Sequence, residues 1–157
     1  MSFETAYQFT LGIEGGYVND SRDPGLETKY GISKRSYPDI DIKALTLEQA
    51  QAIYKRDYWK AASCERMPPK IAVAVFDAAV HHGPKTAIKL LQRALKVADD
   101  GEYRRVTHGT LQSRDTNETL ELMLAHRAVY LTTCPAWPTY KVGWLKRLFS
   151  LARSNFE

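Results

Sequence analysis

The run from Lys70 to Gly83, KIAVAVFDAAVHHG, constrains the fold more than any other stretch of this chain. It is apolar almost all round rather than on one face, and such a helix is stable only when other elements cover every side of it. A helical bundle around this segment is the fold it demands. Asp77 lies within it, and a carboxylate in that setting is costly unless hydrogen-bonded or ion-paired. Two roles are open to Asp77: to cap or orient a neighbouring element, or to line a cleft. His81 and His82 end the helix, and Gly83-Pro84 break it. Adjacent residues do not share one helical face, so the two histidines are not expected to hold a metal together.

Helices on both sides supply the cover. Phe3, Ala6, Tyr7, Thr10 and Ile13 recur at three- and four-residue steps, one buried helical face, with Ser2 as N-cap. Gly15 and Gly16 are expected to end this helix, leaving Glu14 as its last residue beside the negative end of the dipole. A carboxyl group there holds its proton more tightly, as a general acid must. Thr46 and Gln49 form a capping box opening a second helix, with Leu47, Ala50, Ile53, Tyr54 and Tyr58 on one face and Trp59 at its end. These aromatics read as core packing rather than as a sugar platform. After the break at Pro84, a helix from Thr86 to about Val97 turns Ile88, Leu91 and Leu95 inward, with Gln92 beside them, and Asp99-Asp100-Gly101 makes a turn. Asp115 starts a helix with Leu120, Leu124, Arg127, Ala128 and Leu131 on one side. A stiff loop over Pro135, Trp137 and Pro138 leads to a last helix with Trp144, Leu145, Leu148, Phe149 and Ala152 inward and Lys146, Arg147 and Arg153 elsewhere. A basic amphipathic end can lie on a membrane, but a final helix docked on the core is the expected arrangement.

Between the first two helices, EGGYVNDSRDPGLETKYGIS carries dense turn chemistry around short aromatic stretches, which predicts a small irregular β-hairpin walling one side of a cleft. It also gathers Glu14, Asp23 and Thr28: an acid, a second carboxylate and a hydroxyl. Asp20 is the reserve for the second carboxylate. Tyr17, Asn19, Tyr30, Asp77 and His81 are candidate cleft-lining residues, because they combine aromatic faces with amide, carboxylate and imidazole partners. Asn19, Ser21 and Asp23 alternate as calcium ligands do, but Pro24 stands where a calcium loop needs glycine. With neither HExxH nor a spaced ligand set, no metal or cofactor is expected.

The 157 residues suit one compact domain, or one domain with a small appended lobe. Cys64 and Cys134 make no CxxC pair and read as free thiols. The N-terminus lacks a basic flank and cleavable apolar core, and no apolar run approaches membrane-spanning length, so synthesis in the cytoplasm without membrane insertion is expected. A net charge of +4 favours polyanions. No nucleic-acid-binding motif or basic block interleaved with aromatics is evident, which disfavours nucleic acid, while charge alone does not choose between anionic lipid and a bacterial wall rich in carboxylates and phosphates.

The motifs EGGYVND, DPG and TKYGIS, followed in order by LTLEQAQAIYKRDYW, IAVAVFDAAVHHGP, AIKLLQRAL with DG, and GWLKR, closely resemble glycoside hydrolase family 108. These are phage and prophage N-acetylmuramidases of the lysozyme-like superfamily. The resemblance implies a mainly α, α+β lysozyme-like fold, with residues 1–85 as the catalytic half and 86–157 as a peptidoglycan-binding helical half. It implies Glu14, Asp23 and Thr28 as the catalytic set of an endolysin that cleaves between N-acetylmuramic acid and N-acetylglucosamine, acting as a monomer after release by a holin or a secretion route. The chain departs from the family pattern at Leu26 and Arg104, where glycine is expected, and at His81, where asparagine is expected.

Overall fold

A computed structural model describes residues 2–12, 17–19, 22 and 26–157. Glu14, Asp20 and Asp23 lie outside the described residues. The order of elements is α1 (Phe3–Leu11), β1 (Val18–Asn19), β2 (Glu27–Lys29), β3 (Ile32–Ser33), α2 (Leu47–Tyr54), α3 (Pro69–His82), α4 (Pro84–Leu95), α5 (Arg105–Ser113), α6 (Thr116–Leu131) and α7 (Trp137–Arg153). A π-helical turn, Lys55–Lys60, continues α2, and a 3-10 turn, Cys64–Arg66, precedes α3. The fold is mainly α with a small antiparallel sheet, as the resemblance implies.

Helix α3 is the central element. Nine consecutive residues, Ile71 to Ala79, are buried, so neighbouring elements cover every side of it. Pro69 sits in its first turn, where the missing N–H is no loss, and Gly83 takes φ +89 to end it before Pro84 starts α4. Phe3 of α1, Trp59 of the π-helical turn and Phe76 of α3 meet edge-on at centroid distances of 5.7 to 5.9 Å. Edge-to-face contact satisfies the ring quadrupoles as well as burying area. Tyr54 and Trp59 are therefore core residues. A single hydrophobic core runs from Phe3 of α1 to Leu151 of α7.

The expected caps form: Ser2 accepts from Thr5 N–H, Thr46 and Gln49 close their box, and Asp115 accepts from Glu118 N–H. Several expectations are corrected. Helix α1 stops at Leu11, with Gly12 as its C-cap at φ +66, rather than continuing to Glu14. The hairpin is a three-stranded meander in the order β1-β2-β3. A helix not foreseen, α5, follows the Gly101 turn. Arg104 precedes it at φ −116, an ordinary extended conformation that needs no glycine. Trp137 and Pro138 belong to the first turn of α7 rather than to a loop, since proline fits a helix start. Leu47 and Phe149 face outward; Phe149 is 71% exposed, because α7 docks on α6 through Leu148 and Leu151 instead.

Candidate active site

The sheet carries four of the candidate residues. Thr28 on β2 pairs with Val18 of β1 and with Ser33 of β3, so its hydroxyl is mounted on the middle strand. Asn19 pairs with Glu27 across the same ladder. Tyr17, just before β1, donates its hydroxyl to Glu27 Oε1 at 3.0 Å, which ties the entry of the sheet to its central strand. Glu27 is a carboxylate beside Thr28 that sequence reasoning passed over. Lys29 and Ile32 pair across a two-residue turn, Tyr30-Gly31, in which both φ values are positive, +51 and +78. That is the twist a tight hairpin needs. Gly31 is favoured on a second ground: a Cβ there would run into the Tyr54 hydroxyl. Tyr30 is held in the turn and packs against the core. Leu26, at φ +63, adopts the left-handed conformation that favours glycine.

The other two candidates, Asp77 and His81, lie together at the C-terminal part of α3. Asp77 is fully buried and its carboxylate is gripped from two helices. Arg127 of α6 donates from Nη1 to Oδ2 at 2.7 Å, and Arg147 of α7 donates from Nε to Oδ1 and Oδ2 at 2.8 and 3.0 Å. Burial alone would raise the carboxyl's pKa, but the two guanidiniums outweigh it and hold the group below the usual carboxylate range. One carboxylate between two guanidiniums leaves a surplus positive charge, which adds to burial in disfavouring a charged histidine. Burial, and then the cations, pull the pKa of His81 down, while burial and the neighbouring His81 bring His82 to about 3.

The two histidine rings nevertheless lie side by side. Their rings stack with centroids 4.1 Å apart at 22°. Arg127 donates from Nε to His82 Nε2 at 3.3 Å, while its Nη2 lies 3.3 Å from His81 Nδ1. The shared guanidinium draws together two side chains that helical geometry alone would separate. His81 also meets Trp144 of α7 edge-on at 5.0 Å.

A cleft of about 310 Å³ opens here, lined by Thr10, Leu11, Asp77, Val80, His81, Trp144 and Arg147. It sits at the C-terminal end of α1, from which the chain leads towards Glu14. A larger groove, about 540 Å³, separates α6 from α7, but Leu120, Leu124, Leu145 and Leu148 make it apolar, and it lacks the paired polar groups of a hydrolytic site. Gln92 belongs to a third, structural cluster. Its amide donates to Asp100, to the Glu102 carbonyl and to Thr107 and accepts from Gly101 N–H, which fixes the turn before α5.

Arg127 and Arg147 are the residues whose roles the sequence did not yield. One signal was present: Arg127 shares a helical face with Leu120, Leu124 and Leu131, and a cation on an apolar face implies a buried anion. Arg147 gave no such signal, since its neighbours on α7 include exposed positions.

No described helix is long and apolar enough to cross a membrane. No curated protein matches the sequence. Among solved structures, the chain is similar to SagA of Brucella abortus, with 26% identity and a TM-score of 0.83 over 98% of this chain and 97% of that one. The model of the Glycosyl hydrolase 108 family matches residues 7–83, a span that holds the sheet, the strip with Glu14 and Asp23, and α3 up to the histidines. By that match and that fold, the chain is a glycoside hydrolase whose residues 7–83 carry the pattern of glycosyl hydrolase family 108.

Proposed function

We propose that this peptidoglycan-hydrolysing, lysozyme-like enzyme cleaves the β-1,4 bond between N-acetylmuramic acid and N-acetylglucosamine. The observation that carries the reading is the family match itself, which spans Glu14, Asp23 and Thr28 in the order acid, second carboxylate, hydroxyl. Glu14 protonates the departing glycosidic oxygen as positive charge builds on the sugar ring. Asp23, or Asp20 in its place, stabilises that charge or activates water. Thr28, mounted on the middle strand, holds the water or the ring. A hydroxyl beside the water position favours inversion, which needs carboxyl groups roughly 6.5 to 9.5 Å apart. Tyr17, Asn19, Tyr30, Asp77 and His81 contribute to the walls of the cleft. An endolysin role, with a monomer reaching the wall through a holin or a secretion route, follows from the family resemblance.

Release of new reducing ends from purified peptidoglycan tests this, comparing the wild type with a folded Glu14→Gln variant. The wild type releases ends terminating in N-acetylmuramic acid, and the variant loses at least about 10³-fold, of the order expected when a general acid is removed. Ends terminating in N-acetylglucosamine would reassign the bond. A folded wild type that is retained on sacculi without releasing sugar would make the chain a silent wall-binding module.

A further inference from the structure

The family match ends at residue 83, yet the buried carboxylate within it is neutralised from outside it, by α6 and α7. The two arginines differ. Arg127 is 1% exposed and divides its guanidinium between Asp77 and the histidine pair. Arg147, whose side chain is 36% exposed, has a second attachment: its Nη2 donates at 2.7 Å to the carbonyl oxygen of Thr10. Thr10 lies in the last turn of α1, where carbonyls lack an intrahelical partner. A cation at that end also complements the helix dipole. Arg147 is thus a C-terminal cap lent to α1 by a helix more than a hundred residues away. In sequence, the carbonyl it holds stands four positions before Glu14.

We infer that Arg147 is a positioning residue for the general acid, anchoring the end of α1 to buried Asp77 and so fixing where the chain departs towards Glu14. This rests on the reading of Glu14 as the acid. The C-terminal half then serves catalysis by completing the frame of the active site, whatever its affinity for the wall. Misplacing a reacting group by about 1 Å costs on the order of 10²-fold in rate. Loss of Arg147 leaves Asp77 paired with Arg127, so the fold has a route to survive it.

The test compares Arg147→Met, Arg147→Lys and Glu14→Gln in the full chain on soluble glycan strands. The constants kcat and KM are normalised to the folded fraction found by thermal unfolding. The expected result for Arg147→Met is a fall in kcat of about 10- to 100-fold with KM within about twofold. Arg147→Lys, which retains a cation able to reach the Thr10 carbonyl, recovers most of the loss. Wild-type kcat per folded molecule in Arg147→Met would overturn the inference, and so would a rise in KM alone, which marks direct substrate binding. Failure of both Arg147 variants to fold would assign the residue to the core and overturn it as well. An active Glu14→Gln enzyme would remove the acid itself, and this inference with it, whatever the Arg147 variants show.

Discussion

Helix α3 and the small sheet beside it obtain their shape in opposite ways. In α3, nine successive residues are enclosed by other helices, and its one buried carboxylate is matched by two guanidiniums. The sheet has strands of two, three and two residues. It is shaped by local devices: a turn at Tyr30-Gly31, the Tyr17–Glu27 hydrogen bond and a leucine in the left-handed region. The difference teaches where this enzyme is rigid. The region around Asp77 and His81 is set by packing, and the sheet that carries Thr28 is set by turns whose backbone cost is met on the spot.

Breaking the anchor of α3 has the largest expected effect. Asp77→Ala leaves two guanidiniums without their carboxylate, one of them fully enclosed, and a loss of about 3–5 kcal/mol is expected in urea unfolding. A loss below about 1 kcal/mol would mean that α3 is held by apolar burial alone. Acid sharpens the same point. His82 stands at about 3 in the folded chain against 6.5 for an unperturbed histidine. The unfolded chain therefore takes up a proton that the folded chain refuses. Stability is complete above about pH 6.5 and declines as pH falls towards 3, by at most about 1.4 kcal/mol per pH unit for this group. Asp77, held below the usual carboxylate range, adds to the loss at the acid end of that window. Thermal melts at several pH values check this, and His82→Phe flattens the slope between pH 6.5 and 4.5. An unchanged slope would show that the ring is protonated in the folded state. The smallest effect concerns the sheet. Leu26→Gly relieves a left-handed leucine whose side chain is half exposed, at the expense of glycine's greater chain entropy. A net gain of up to about 1 kcal/mol is expected, with activity retained; a loss would show that Leu26 contributes more by packing than its backbone costs.

Much of the helical frame was legible in the sequence because its signals are local. Ser2, Thr46 with Gln49, and Asp115 announce helix starts through side chains that reach only three residues ahead. The all-round apolarity of residues 70–80 told that α3 would be enclosed. What was missed depends on partners distant in the chain. Phe149 has helical spacing suited to the core, but the choice of which side of α7 meets α6 fell to Leu148 and Leu151. The stacked histidines contradict single-helix geometry because Arg127, 45 residues away, draws both rings to one guanidinium. At the site, Thr28, Tyr17 and Asn19 were legible as one strip, whereas Glu27's bond to Tyr17 emerged only when β1 and β2 paired.

The sequence by itself determined that a buried helix must lie at the centre of a bundle and that turn-rich chain must follow the first helix. It could do so because helix caps, tight turns and apolar periodicity are written in neighbouring residues. Only the tertiary structure decided how the charge on Asp77 is met, and which element caps the carbonyls at the end of α1. Both answers are arginines, from α6 and α7, and neither is near its partner in sequence. A buried charge demands a counter-ion wherever the fold can supply one, and sequence spacing does not say where that will be.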